Sequence, residues 1–219
     1  MPTTLLKPFG MFAPLMKNKF FYLFLKRAFD FVAALAGFII LLPVFLFFAI
    51  WIKLDSKGPI FYLQERIGQF GKPFKIWKFR TMVSDADKKG PLITLDRDPR
   101  ITQAGNFLRH YKLDELPQLI NVILGNMSLV GPRPEVKKYV DLYSSEQRKV
   151  LDFKPGITDP ASIKYRKEQE LLMKADDIET VYVKTIMPDK ININIEYMSK
   201  ASLAQDLKFI FLTIYKIAE

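Results

Sequence analysis

The sequence predicts an α+β protein in which an apolar helical segment precedes a mainly helical domain carrying a short β-hairpin. Three observations predict it. Residues 31–52 contain no Asp, Glu, Lys or Arg. Two β-rich runs, 60–67 and 74–82, are joined by Gly68-Gln69-Phe70-Gly71-Lys72-Pro73, which is hairpin punctuation. Much of the rest has helical patterning, ending with residues 203–216, where Leu203, Leu207, Ile210, Phe211 and Ile214 share one helical face.

Length and composition narrow the chemistry. A chain of 219 residues holds one domain of roughly 150 residues with some tens to spare. Lys and Arg number 33 against 23 Asp and Glu, for a formal net charge of +10, which favours anionic partners. With no cysteine, disulfides, thiolate catalysis and Cys-based zinc sites are excluded. The single histidine, His110, cannot supply a His-rich metal site. Any catalysis rests on carboxylates, Lys or Arg, and a metal held by oxygen.

The elements follow in order. Residues 1–28 are rich in Phe, Leu and Lys, broken by Pro8 and Pro14, and read as an N-terminal interfacial extension. The membrane segment is placed at 29–54. Its 22-residue charge-free core would extend about 33 Å as a helix, enough for a hydrocarbon layer of about 30 Å. Lys17, Lys19, Lys26 and Arg27 precede it and Lys53 and Lys57 follow, so the positive-inside rule names no orientation. Pro43 removes a backbone donor near its middle. A re-entrant helix-break-helix and a bitopic span kinked at Pro43 both satisfy these facts.

Residues 55–219 form the remaining domain. In its hairpin, strand alternation puts Lys78 and Arg80 on one face, a pair of cations suited to phosphate. Residues 84–100 read as a loop and 104–111 as a short helix bearing Arg109. Asp114 and Glu115 stand just ahead of an apolar helix at 119–124, followed by Gly131-Pro132-Arg133-Pro134-Glu135, a stiff turn presenting an arginine. Adjacent carboxylates with basic neighbours suit chemistry on phosphate; an ordinary N-cap is the alternative. Residues 135–150 read as helix, 154–158 as a turn and 163–177 as an exposed helix. Residues 191–198 alternate too loosely to place. The 203–216 helix is amphipathic, either docked on the core or lying in a membrane interface.

Taken in order, a set of motifs resembles one family. They are Lys26-Arg27-x-Phe29-Asp30, Gln64-x-Arg66-x-Gly68, Phe74-Lys75-x-x-Lys78-Phe79-Arg80-Thr81-Met82, Asp98-Pro99-Arg100-Ile101-Thr102 and Leu108-Arg109. Asp114-Glu115-Leu116-Pro117-Gln118, Asn121-Val122, Gly125 through Pro134, and Lys154-Pro155-Gly156-Ile157-Thr158 continue the series, with Asp206-Leu207-Lys208 further on. The chain resembles the bacterial sugar transferases of the monotopic phosphoglycosyl transferase superfamily, small-enzyme type.

The resemblance implies transfer of a phosphosugar from a UDP-sugar to polyprenol (undecaprenyl) phosphate, with release of UMP, to start a lipid-linked glycan. It implies the re-entrant form of the membrane segment, with its break at Pro43. It also implies a cytoplasmic catalytic domain on the inner membrane of a bacterium. Asp114 is then the nucleophile that carries the phosphosugar, and Glu115 helps hold Mg²⁺. Arg133, Arg109, Lys78 and Arg80 are the expected phosphate-binding cations. A helix dipole behind Asp114 is expected to keep it ionised. Inner-membrane lipid and a second copy of the chain, as a homodimer, are further expected partners. Nucleic acid is not one, because no nucleic-acid module is present. A membrane scaffold with the same fold and no turnover is the competing function. Residues 159–166 depart from the Gly-Trp-Ala-Gln continuation of many relatives, which leaves the sugar open.

Overall fold

Helix α1 (Lys19–Ile40) and helix α2 (Leu42–Asp55) run almost end to end and are bent by 59°. The structure, a computed structural model, describes residues 19–84, 86, 98–173 and 175–218. The extension expected over 1–28 therefore lies outside the described residues up to residue 18, and its remainder is the opening of α1. The loop expected over 84–100 also lies largely outside them. The bend sits at Leu41, two residues before the expected break, and Pro43 occupies the first turn of α2. Proline fits there because first-turn N–H groups have no helical partner. The ladder is carried across the bend by Leu41 N–H donating to Gly37 O and Phe45 N–H to Leu41 O, both 2.9 Å.

No single helix among the described residues is long and apolar enough to cross a membrane, although the bent pair together has the length and composition. One face of α2 packs Phe45, Phe48 and Ile52 against Phe79, Ala104 and Leu108. The opposite faces of the pair are bare, with Ile40 74% and Leu54 82% exposed, and Phe47 and Ile50 also open. An apolar surface of that extent marks an interaction with lipid or protein.

The hairpin forms as expected, with trimmed ends. Strand β1 (Phe61–Ile67) pairs antiparallel with β2 (Pro73–Phe79), in register from Phe61 opposite Phe79 to Ile67 opposite Pro73. Between them Phe70 and Gly71 take positive φ. Helix α3 (Gln103–His110) follows, its N-terminus capped by Thr102 Oγ1, which accepts from Gly105 N–H at 3.0 Å. Gly105 is needed for closeness: a Cβ there would stand 2.0 Å from Thr81 O.

Helix α4 (Gln118–Leu124) packs on α1 and β2 through Ala34, Ile76, Leu119, Val122 and Met127. Its C-terminal carbonyls are capped by Arg27, which donates to Val122 O at 2.6 Å and Ile123 O at 3.0 Å. A cation there also meets the negative end of the helix.

Beyond α4 the structure departs from several sequence expectations. The expected turn at 154–158 contains strand β4 (Gly156–Thr158), which runs parallel to β3 (Ser128–Val130). The long helix expected over 135–150 is replaced by α5 (Lys137–Val140) and a 3₁₀ turn, Gln147–Asp152. Ser144 and Gln147 explain the break: Ser144 N–H donates to Gln147 Oε1 and Gln147 N–H to Ser144 Oγ. This reciprocal capping box starts a new turn. The helix expected over 163–177 is likewise divided into α6 (Pro160–Lys164) and α7 (Glu168–Leu172).

Helix α8 (Ile178–Val181), capped by Asp177, leads through a π-helical turn, Tyr182–Ile186, into α9 (Met187–Ser199), so the unplaced residues 191–198 are helical. Helix α10 (Leu203–Ala218) is the expected amphipathic helix. Its Phe211, Ile214 and Tyr215 are exposed.

A buried charge network joins α1 to this C-terminal layer. Lys26 Nζ donates to Asp206 Oδ2 at 2.7 Å, and Tyr197 OH donates to Asp206 Oδ1. Asp30 accepts from Ser128 Oγ at 2.7 Å and Leu129 N–H at 3.2 Å, pinning β3 to α1.

Candidate active site

The acidic pair is delivered by a left-handed residue. Lys112, at the end of α3, has φ 56°, uncommon for a residue with a Cβ. It reverses the chain into a single 3₁₀ turn, Leu113–Glu115. Asp114 and Glu115 thus precede α4 rather than begin it, and α4 is only seven residues long. The helix behind Asp114 is therefore short and is reached through Leu116 and Pro117, both in helical conformation.

Electrostatics separates the two carboxylates. Glu115 Oε1 accepts from Lys78 Nζ at 3.0 Å and from Arg133 Nη2, while Oε2 accepts from Arg133 Nη1 at 3.0 Å. Burial alone would raise the Glu115 carboxyl, but Arg133 and Lys78 outweigh it and hold the group well below the ordinary carboxylate range. Glu115 in turn keeps the Arg133 guanidinium firmly protonated. Burial lowers Lys78, with Glu115 opposing.

Asp114 is half-buried and its carboxylate takes no hydrogen bond among the described residues. Burial first, and then the charge of Glu115, push its pKa up, while Lys78 and Arg109 pull it back. The result is one carboxylate bound by two cations and a neighbour with a free oxygen pair and a raised affinity for a proton.

Each side chain has a local reason for its place. Asn121, fully buried in α4, accepts from Trp77 N–H at 2.9 Å and donates to Lys75 O at 2.8 Å. It acts as a short extra rung on β2, which sets Lys78 opposite Glu115. Arg133 is fixed from the other side. Gly131 N–H donates to Thr158 O, and Gly156 N–H to Pro132 O, both at 3.0 Å. A Cβ on Gly156 would stand 2.1 Å from Gly131 N, so the two backbones touch only because neither carries one. Pro132 and Pro134 stiffen what remains.

Lys78, Glu115 and Arg133 therefore meet, with Asp114 beside them and Arg109 acting on Asp114 through its charge. Arg80 does not join them, contrary to expectation. Strand β2 ends at Phe79, so strict alternation fails at this residue, and Arg80 is 5% exposed. Its Nη2 donates to Ile52 O at 3.2 Å, Ser56 O at 2.7 Å and Ser56 Oγ at 2.9 Å. Arg80 closes the C-terminal end of α2.

Two residues not singled out by sequence reasoning adjoin the cluster. Glu135 Oε1 accepts from Arg66 Nη1 at 3.0 Å, and Glu135 Oε2 accepts from Tyr182 OH. The available signal was strand alternation, which puts Gln64 and Arg66 on one face of β1; nothing local pointed to Glu135 as their neighbour. A shallow cleft beside Arg133 is walled by Ile67, Pro132, Tyr143, Phe153 and Pro155.

No group of three His, Cys, Asp or Glu gathers among the described residues, and within this cluster the acidic pair would give a divalent cation two carboxylates. That suits Mg²⁺, which is held by one or two carboxylates with substrate phosphates completing its shell. Glu115 accepts three hydrogen bonds against about four acceptor positions, leaving one for a metal beside the free oxygens of Asp114.

Comparison with known proteins places the chain among relatives. Residues 21–219 match the family described as bacterial sugar transferase. The Escherichia coli (strain K12) UDP-glucose:undecaprenyl-phosphate glucose-1-phosphate transferase is 38% identical over 200 residues, covering 88% of this chain and 40% of that protein. The Aeromonas hydrophila UDP-N-acetylgalactosamine-undecaprenyl-phosphate N-acetylgalactosaminephosphotransferase is 35% identical over 201 residues, covering 90% of this chain and 44% of that protein. The Sinorhizobium fredii exopolysaccharide production protein ExoY is 35% identical over 204 residues, covering 86% of this chain and 83% of that protein. This chain thus spans less than half the length of the first two relatives and most of the third.

Proposed function

Because this chain belongs to the bacterial sugar transferase family, we propose that it moves a phosphosugar from a UDP-sugar to polyprenol (undecaprenyl) phosphate and releases UMP. The observation that carries the reading is the contrast within the acidic pair: Glu115 clasped by Arg133 and Lys78, Asp114 left free beside it. The relatives named for transfer of sugar phosphates to undecaprenyl phosphate and for exopolysaccharide production support it. The work falls at the cytoplasmic face of the bacterial inner membrane, where it starts a lipid-linked glycan. The apolar faces left bare on α1 and α2, and the bend between them, support a re-entrant segment entering one leaflet.

The transfer has two steps. An oxygen of Asp114 attacks the phosphorus that bears the sugar, and the bond from that phosphorus to the bridging oxygen breaks. UMP leaves with that oxygen, and the phosphosugar remains on the aspartyl carboxyl. A phosphate oxygen of polyprenol phosphate then attacks the same phosphorus and expels Asp114 as a carboxylate, giving a polyprenyl diphosphate sugar. Arg133 and Lys78 can trade Glu115 for the donor's diphosphate, neutralising charge that would otherwise repel Asp114. Glu115 is the Mg²⁺ ligand in this reading, and the bound ion would supply further neutralisation at the diphosphate.

Incubating the detergent- or nanodisc-held protein with Mg²⁺, undecaprenyl phosphate and a panel of UDP-sugars should release UMP with at least one sugar. No release from any of them would favour a scaffold.

The pH dependence has a definite sign. The nucleophile is the carboxylate, and burial and Glu115 raise the Asp114 pKa. Activity is therefore lost as pH falls through a value above the ordinary aspartate pKa of about 3.9. Since Arg109 pulls that pKa down, Arg109→Met should move the acid limb of kcat/KM to higher pH. An unmoved or lowered limb would remove Arg109 from the electrostatics of Asp114.

A further inference from the structure

Arg66 is a cation beside the phosphate-binding pair that the transfer steps do not use. Its Nη1 lies 3.0 Å from Glu135 Oε1, and its Nε and Nη2 donate to Gln64 Oε1 at 3.3 and 2.9 Å. Both partners of the ion pair have side chains only 18% exposed. Glu135 is held on every side: Val136 N–H donates to Oε1 at 2.8 Å, Tyr182 OH donates to Oε2, and Ile67 N–H donates to the backbone oxygen at 2.8 Å.

Glu135 stands two residues from Arg133, and the two line the same cleft. Arg66 is close enough to feel the charges of Arg133 and Glu115, and Lys78 feels Arg66 in turn. With Glu135 ionised, the Arg66–Glu135 pair adds no net charge beside the site. Without it, a third cation would act on any phosphate drawn there.

We infer that Glu135 is the counter-ion of a masked cation, and that the Arg66–Glu135 pair tunes how tightly the site holds a phosphate-bearing ligand. Glu135 is a positioning residue in this scheme and touches no substrate. The inference deepens the transfer reading, in which UMP must leave before the lipid phosphate reacts, so that excess positive charge would slow its departure.

Calorimetric titration of the full chain in detergent with inorganic pyrophosphate tests the pair. Glu135→Gln should tighten binding about fivefold at low ionic strength, the scale of one partly screened unit charge, and the gain should fade as salt is added. Arg66→Met should weaken binding by a similar factor. The double variant Arg66→Met/Glu135→Gln should return to wild-type affinity.

A merely structural role for Glu135 predicts the opposite sign, weaker binding, with no rescue in the double variant, and that result would overturn the proposal. Absence of pyrophosphate binding by the wild type would overturn it equally. If Glu135→Gln does not melt cooperatively, Arg66→Met alone decides: unchanged affinity sinks the proposal. Pyrophosphate reports on the cations whichever reaction the site serves. A wild type that binds it but releases no UMP from any sugar would therefore strike the transfer reading and leave this one standing.

Discussion

Asp114→Asn should lower UMP release by at least about a thousandfold, the scale of losing a nucleophile that no neighbour replaces. The geometry makes this substitution unusually clean. The Asp114 carboxylate takes no hydrogen bond among the described residues, whereas the contacts of Glu115 with Arg133 and Lys78 are complete without it. Asn is nearly isosteric and removes a charge that Glu115 repels. The thermal midpoint should therefore hold or rise slightly, and affinity for UMP should persist. Intact-mass analysis after mixing with donor alone should show a phosphosugar adduct on the wild type and none on the variant. UMP release within tenfold of wild type, or an adduct on Asp114→Asn, would exclude Asp114 as the attacking group.

Asp206→Ala should produce the largest loss of stability. Asp206 is 1% exposed and accepts from Lys26, Tyr22 and Tyr197. Its removal leaves a buried ammonium with only Asp30, 3.9 Å away. Breaking a buried pair from one side costs about 3–5 kcal/mol, or about 6–20 °C in melting temperature for a chain of this size. Removing the ammonium as well, Lys26→Met with Asp206→Ala, should recover only part of the loss, because the Tyr22 and Tyr197 hydroxyls still lack their acceptor and Asp30 loses its neighbouring cation. If Asp206→Ala melts within 2 °C of wild type in the same detergent, the pair is not what fastens α10 to α1.

What could be read from the sequence follows the range over which each signal acts. The hairpin was legible because its turn and both strands lie within twenty residues, and the helix at α4 because Leu119, Val122 and Ile123 repeat with helical period. Asp114, Glu115 and Arg133 were legible as a motif. Their electrostatics was not, since which carboxylate Lys78 and Arg133 clasp is decided by contacts between segments far apart in sequence. The pairing of β3 with β4 joins two three-residue strands from distant segments, and no local pattern announces such a contact. Arg80 was misread because alternation was carried one residue past the end of β2, where the chain turns under α2. The Ser144–Gln147 box was a local signal, and it outcompeted the helical periodicity that masked it.

The Lys26–Asp206 contact also sets an order of events. The two residues are separated by 180 positions, and at synthesis rates of about 5–20 residues per second Lys26 waits about 9–36 s for its carboxylate. Asp30 waits for Ser128 in the same way. During that interval Lys26 and Asp30 on the first apolar helix have only each other as ionic partners, 3.9 Å apart. Lys26 gains its closer partner, at 2.7 Å, only when Asp206 arrives. In that sense the ion pair works as a completion signal: a chain that stalls before α10 lacks the contact that fastens α1 to its C-terminal layer.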